Sequence, residues 1–134
     1  MTAGAGEVVR ELAAAINADD VQGLARLLDP EVVQYGTRGG VDQGRVVRGR
    51  EAVLAYWDEV SEAWESQTFE LERVIEGDGV VVALWREAAQ IRDSDLEVES
   101  STASLIKVRD GTVVELRGYM DPDEALRAAG VTRD

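Results

Sequence analysis

Residues 79–121 read GVVVALWREAAQIRDSDLEVESSTASLIKVRDGTVVELRGYMD, and they predict one long antiparallel meander. A β-branched run starts the first strand at residues 79–85, and the loop 92–95 turns it. Residues 96–108 return, a second turn follows, and residues 112–120 close the meander. We expect the rest of the chain to pack against this sheet.

The remaining segments add helices and two shorter strands. Apolar residues at three- and four-residue spacing predict helices, and the third helix should carry Val60 and Trp64 on its apolar face. The predicted elements are helices at 7–17, 21–28 and 50–64, strands at 31–35 and 67–76, a Gly-rich loop at 36–49 and a short C-terminal helix from Pro122. Helices on one face of a curved antiparallel sheet give an α+β fold, and the length favours a single domain over residues 1–134.

The charge and composition exclude several functions. With 27 acidic and 14 basic residues the net charge is −13, so nucleic acid and anionic membranes are unfavourable partners. The chain has no histidine, which excludes a His-based catalytic triad, and no cysteine, which is compatible with a cytoplasmic protein. No apolar run approaches a membrane span, and the N-terminus lacks the pattern of a signal peptide. We expect neither a metal nor a cofactor.

The first strand of the meander is apolar on both faces. Val82, Leu84 and Ala88 share one parity, and Val81, Ala83 and Trp85 share the other. One face should meet the helices, and the other then needs a second cover. A partner subunit would supply it, so the pattern predicts a homodimer through the sheet.

Several motifs together resemble the SnoaL-like branch of the nuclear transport factor 2-like superfamily. The resemblance rests on the order and spacing of short segments across nearly the whole chain. They are residues 16–20 (INADD), 28–32 (LDPEV), 47–53 (VRGREAV), 109–114 (RDGTVV), and 119–130, which begin YMD and end EALRAAG. The family resemblance implies a cone-shaped sheet with a pocket between it and the helices.

The catalytic sets of related enzymes are incomplete in this sequence. Alignment with ketosteroid isomerases puts Leu12 at the Tyr position, Tyr35 at the base and Ala103 or Ser104 at the acid. Epoxide hydrolases of this fold would match only Arg86, because Ala88 and Gly118 fall at their two Asp positions.

Polyketide cyclases of the SnoaL type match at Asp121, yet they also use a His that this chain lacks. Asp121 is therefore a candidate base, with its role as a helix cap as the alternative. Arg86 is a candidate for steadying an oxyanion, with an ion pair to an acidic neighbour as the alternative. Tyr35, beside the Gly-rich loop, is a second candidate for that role.

Ligand-binding candidates come from strand parity and from the aromatic residues. The middle strand groups Val98, Ser100, Thr102, Ser104 and Ile106, and the last strand groups Val114, Leu116, Gly118 and Met120. We expect the second set to face the helices. The candidates for lining a pocket are Tyr35, Tyr56, Trp57, Trp64, Ser104 and Met120. The alternatives are core packing for Tyr56, Trp57 and Trp64, a plain surface position for Tyr35, and an ordinary strand position bonded to water for Ser104.

Three functions are compatible with this sequence. The first is a module that binds a small, mostly apolar molecule in the cone, because the lining is apolar and no complete acid and base set is visible. The second is a His-free enzyme similar to polyketide cyclases or ketosteroid isomerases. The third is a dimerisation domain without a ligand.

Overall fold

The computed structural model describes residues 4–62 and 64–133, apart from the side chains of Trp64 and Glu65. Within them the chain forms four helices and six strands. These are α1 (Ala5–Asn17), α2 (Val21–Leu27), β1 (Leu28–Arg38), β2 (Val46–Arg48), α3 (Arg50–Ser61), β3 (Trp64–Glu76), β4 (Val81–Ile91), β5 (Glu97–Arg109), β6 (Thr112–Tyr119) and α4 (Pro122–Ala129). The predicted α+β class is confirmed.

All six strands form one curved, unclosed sheet in the order β2-β1-β6-β5-β4-β3. The meander from β3 to β6 is antiparallel throughout, as predicted. The sheet as a whole is mixed, because β1 lies parallel to β6. This pairing joins strands that are far apart in the chain, so no local turn signal could reveal it.

The first helix follows the predicted apolar stripe. Val8, Val9 and Leu12 are buried against the sheet. At its end Asn17 pairs with the edge of β3, donating from Nδ2 to the Phe69 carbonyl oxygen at 2.7 Å and accepting from the Phe69 N–H at 3.2 Å. No helix in the described chain has the length and apolarity needed to cross a bilayer.

Two predicted helix ends were wrong. The second helix stops at Leu27, and Val21, expected to point inward, is 59% exposed because it begins the helix beside the capping Asp20. The third helix stops at Ser61, and Val60 is exposed. The backbone of Trp64 instead pairs with Ile91 in the ladder between β3 and β4, so sheet pairing overrides the helical spacing of its sequence.

The predicted strand at 31–35 and loop at 36–49 also differ from the structure. The strand is longer, running from Leu28 to Arg38 as β1. The Gly-rich loop contains the short strand β2, which pairs with β1. The Gly-rich composition predicted a loop here and therefore did not indicate the edge strand β2.

The two faces of the sheet have different covers. On the face here called inner, Val81, Ala83 and Trp85 pack into the core that α1, α2 and α3 cover. On the outer face, Val82 and Leu84 pack with α4. The second apolar face of β4, from which a partner subunit was predicted, is therefore covered at Val82 and Leu84 by the chain's own last helix.

A bulge in β6 changes the predicted parity of that strand. Lys107 pairs with Glu115 and Val108 pairs with Val113, which leaves Val114 as an extra residue. As a result Val113 and Leu116 both belong to the core beneath the helices. The expectation that Val114 shares a face with Leu116 was wrong, and the bulge is the reason.

Candidate functional site

Polar side chains on the inner face pair with one another. The Trp85 indole donates from Nε1 to Ser104 Oγ at 3.1 Å. The Thr102 hydroxyl donates to Glu87 Oε2, and the Trp57 indole donates to Gln34 Oε1. The core is thus lined by hydrogen-bonded polar groups where β4, β5 and β1 meet the helices.

Glu87 marks the point where the helical cover ends. Along β4 the residues from Val81 to Trp85 are buried, whereas Glu87 and the residues after it are only half-buried. Glu87 lies two residues beyond Trp85, so both side chains project from the inner face. We call this region, formed by Glu87, Ala89 and Ile91 with Val98 and Ser100 of β5, the open end of the inner face.

The surroundings of Glu87 are aromatic on one side and hydroxylic on the other. Its cross-strand neighbour on β3 is Phe69, whose ring meets that of Trp85 edge to face at a centroid separation of 6.5 Å. Its neighbour on β5 is Ser100. This arrangement sets a carboxylate beside an apolar wall.

The Glu87 carboxylate has spare hydrogen-bonding capacity. Among the described residues it has no cationic partner, and its hydrogen bond comes from the neutral hydroxyl of Thr102. A carboxylate offers about four acceptor positions. Glu87 can therefore accept further hydrogen bonds from a bound molecule.

A second polar cluster ties the Gly-rich loop to α3. Asp42 accepts from the Tyr56 hydroxyl through Oδ2 and from the Thr37 N–H through Oδ1 at 3.1 Å. The Arg45 guanidinium lies over the Tyr56 ring, 4.5 Å from its centroid. Burial and the bond to Asp42 raise the pKa of Tyr56 to about 12. The phenol is therefore protonated and serves as a donor near neutral pH.

Three of the predicted ligand-binding residues lie on the side of the sheet that the helices cover. Trp57 packs against the core and donates to Gln34, and Ser104 accepts from the Trp85 indole. Tyr56 is 7% exposed and sits beneath the Gly-rich loop. Trp64 was also predicted to line a pocket, but its side chain lies outside the described part of the structure.

Two predicted residues lie on the outer face. Arg86 shares that face with Leu84, and its Nη2 is 4.0 Å from Glu99 Oε1, with both side chains more than half exposed. The Arg117 guanidinium lies over the Tyr35 ring, 3.8 Å from its centroid. The structure does not bring Arg86 or Tyr35 together with Trp57 and Ser104.

Asp121 and Met120 lie where β6 passes into α4. Asp121 is exposed and caps α4, accepting from the Asp123 N–H at 3.0 Å. Met120 is 44% exposed. Both residues precede Pro122, the first residue of the helix that covers the outer face.

The sequence interpretation overlooked Glu87 and Asp42. Glu87 continues the parity of Val81, Ala83 and Trp85, so a charge on that otherwise apolar set was a visible signal. Asp42 had no such signal, because its contact with Tyr56 depends on how a loop folds back on a helix.

Two shallow hollows lie on the described surface. One, of about 370 Å³, lies between β2 and α3, and the other, of about 430 Å³, lies beside the turn between β4 and β5. Neither is lined by Glu87, Ser104 or Trp57.

Comparison with known proteins places this architecture in a family. A family model described as SnoaL-like domain matches residues 9–116. No curated protein matches the sequence. Solved structures with a similar fold are numerous.

Three of these structures show how far the likeness extends. An NTF2-like protein of unknown function from Burkholderia pseudomallei has a TM-score of 0.75 at 19% identity, covering 92% of this chain and 95% of that one. A protein described as a putative polyketide cyclase, from Xanthomonas campestris pv. campestris, has a TM-score of 0.75 at 16% identity, covering 88% and 90%.

An LEH-like epoxide hydrolase from M. tuberculosis has a TM-score of 0.67 at 18% identity, covering 92% and 87%. Such identities establish a shared fold, and the family match covers most of the chain. The protein belongs to the family of SnoaL-like domains.

Proposed function

We propose that this domain binds a small, mostly apolar molecule at the open end of its inner face, where Glu87 accepts a hydrogen bond from it. The observation that carries this proposal is the half-buried Glu87 carboxylate, which has a neutral partner in Thr102 and no cation among the described residues. A carboxylate in such a position loses solvation unless it is hydrogen-bonded. A donor group on a ligand would satisfy it.

The walls around Glu87 define the class of ligand. Phe69, which is half-buried and packs against the buried Trp85, offers apolar surface on one side. The Glu87 carboxylate would repel an anionic group placed beside it. The ligand expected here is an apolar ring system that carries a hydroxyl or amine group and no negative charge.

An enzymatic role is the second candidate, and Glu87 supports it as well. A carboxylate beside an apolar wall can act as a general base, and this chain has no histidine for that task. One similar structure is described as a putative polyketide cyclase. Catalysis by Asp121 with Arg86 remains a separate proposal, and Asp121 would then serve as both base and helix cap.

The binding proposal is tested with matched ligands. A set of bicyclic aromatic alcohols and aryl amines is screened against the wild type by ligand-observed NMR, each alcohol paired with its methyl ether and each amine with its N,N-dimethyl derivative. The proposal requires the free alcohol or amine to bind more tightly than its methylated partner, because methylation removes the donor.

Two variants locate the site. Glu87→Gln keeps the shape but loses the charge, so affinity for the donor ligands should fall about tenfold. Glu99→Gln removes a carboxylate on the outer face and should leave affinity unchanged. Equal affinity within the ligand pairs, or equal effects of the two variants, would contradict the proposal.

A further inference from the structure

The edge strand β2 has unused backbone hydrogen-bonding groups. Gly36 donates to the Arg45 carbonyl oxygen at 2.8 Å, and Gly49 donates to the Val32 carbonyl oxygen at 2.7 Å. In an antiparallel pair such bonded positions alternate with positions whose N–H and C=O point away from the partner. Val46 and Arg48 are the positions that point away, and β2 is the last strand of the sheet.

A groove runs beside this edge. It is the hollow of about 370 Å³ between β2 and α3, and its lining includes Ala52 and Ala55. Both alanines are exposed, so the helix presents short methyl groups at these two positions, and Tyr56 and Glu59 of the same helix line the groove as well. At Ala52 and Ala55 no long helical side chain stands beside the free edge, which leaves room there for another chain.

Two arginines and one glutamate line the groove, so its net charge is positive in an acidic protein. Arg45 and Arg48 both line it. Arg48 forms no ion pair among the described residues, and Arg45 lies 3.9 Å from Glu59 with both side chains at least half exposed. A pair so exposed is weak. An incoming carboxylate would therefore find at least one free guanidinium.

We propose that β2 binds an extended acidic peptide, which adds to the sheet as a seventh strand. Its main chain would pair with Val46 and Arg48, as in other cases of strand addition. A residue opposite Val47 would point over Ala52 and Ala55, so it should be small or apolar. A residue opposite Arg48 would lie on the same side of the sheet as that arginine, so it should be acidic.

A second copy of this chain fits the groove less well. Two β2 edges paired with each other would bring their arginines together, which is unfavourable. Pairing of β2 with the opposite edge, β3, would be head-to-tail, and such contacts build rings or filaments of many copies. An acidic peptide has neither difficulty.

The test uses a defined probe. The peptide Thr-Val-Glu-Val-Thr-Val, acetylated and amidated, is titrated into ¹⁵N-labelled protein at low salt. Strand addition predicts shifts of the amide signals of Val46, Arg48, Ala52 and Ala55. The same peptide with Lys in place of Glu should bind about tenfold more weakly. Absence of shifts at about 1 mM peptide, or equal binding of both peptides, would overturn the proposal.

Two controls separate strand addition from general attraction to arginine. Two peptides are made, one N-methylated at the odd-numbered residues and the other at the even-numbered residues. One of them should lose binding and the other should keep it, because only alternate N–H groups of an added strand point toward β2. Ala55→Gln should fill the groove and weaken binding, whereas Ala14→Gln, at an exposed position of α1, should not. Binding that survives in both registers or in Ala55→Gln would contradict the proposal.

Discussion

The hydroxyl of Tyr56 on α3 donates a hydrogen bond to the carboxylate of Asp42 in the Gly-rich loop. Because Asp42 also accepts from the Thr37 N–H at 3.1 Å, one carboxylate joins the helix, the loop and the end of β1. This contact holds the loop against the domain. It also makes the stability of the fold depend on the protonation of one phenol.

Stability should fall at high pH through Tyr56. Its pKa is raised from 10.0 to about 12 in the folded protein, chiefly by burial and by the bond to Asp42. The unfolded chain therefore loses this proton first, so the free energy of unfolding should decline as the pH rises from about 10 to about 12.

Urea unfolding at several pH values measures this decline. The Tyr56→Phe variant lacks the phenol, and its stability should decline less over the same range. A variant and wild type with parallel pH profiles would show that Tyr56 is not responsible.

Substitution of Gly36 should be strongly destabilising. A Cβ atom at this position would lie 1.8 Å from the Asp42 carbonyl oxygen, a separation that requires the backbone to move. Overpacking of this kind costs about 1–3 kcal/mol or more. Gly36→Ala should lower the free energy of unfolding by that amount in chemical denaturation.

Gly4→Ala provides the matched control. A Cβ at Gly4 has no neighbour within 4 Å, so the same chemical change should be nearly neutral. Equal stabilities of the two variants would mean that the loop does not pack on β1 as described.

Removal of the Asp121 side chain should loosen α4. Loss of an N-cap costs about 1 kcal/mol, and Asn can replace Asp in this role. Asp121→Ala should therefore lower the melting temperature, while Asp121→Asn should nearly restore it. A loss of equal size in both variants would point to a role for the charge beyond capping.

The turns of the meander were predictable because their residue types specify backbone conformation. Asp110 and Gly111 have φ values of 53° and 82°, as a two-residue hairpin loop requires. Pro122 and Gly130 likewise delimit α4. Three other features depend on contacts between residues that are far apart in the chain, so local sequence patterns do not predict them. They are the parallel β1–β6 pairing, the Val114 bulge and the fold of residues 39–45.

The candidate site was predictable in part for the same reason. Parity correctly grouped Thr102 and Ser104 with the buried Ile106. Applied two residues beyond Trp85, the same rule places the Glu87 side chain on the inner face. The aromatic spacing failed at Trp64 because the strand begins where a continued helix was expected.

The homodimer through the sheet remains a prediction. Outside the area covered by α4, the outer face presents charged residues such as Arg86, Lys107 and Arg117. Light scattering at micromolar concentration should give twice the chain mass of 14.6 kDa. Ser101→Arg, at an exposed position opposite Arg86, should convert a dimer into a monomer, whereas Gln22→Arg on α2 should not. A monomeric mass for the wild type would contradict the prediction.

The most direct test of the account is a map of amide shifts in ¹⁵N-labelled protein titrated with 2-naphthol and, separately, with 2-methoxynaphthalene. We expect 2-naphthol to shift the amide signals of Phe69, Glu87 and Thr102, and the methyl ether to bind about tenfold more weakly because it cannot donate to Glu87. Shifts confined to other parts of the surface, or equal affinities for the two compounds, would contradict it.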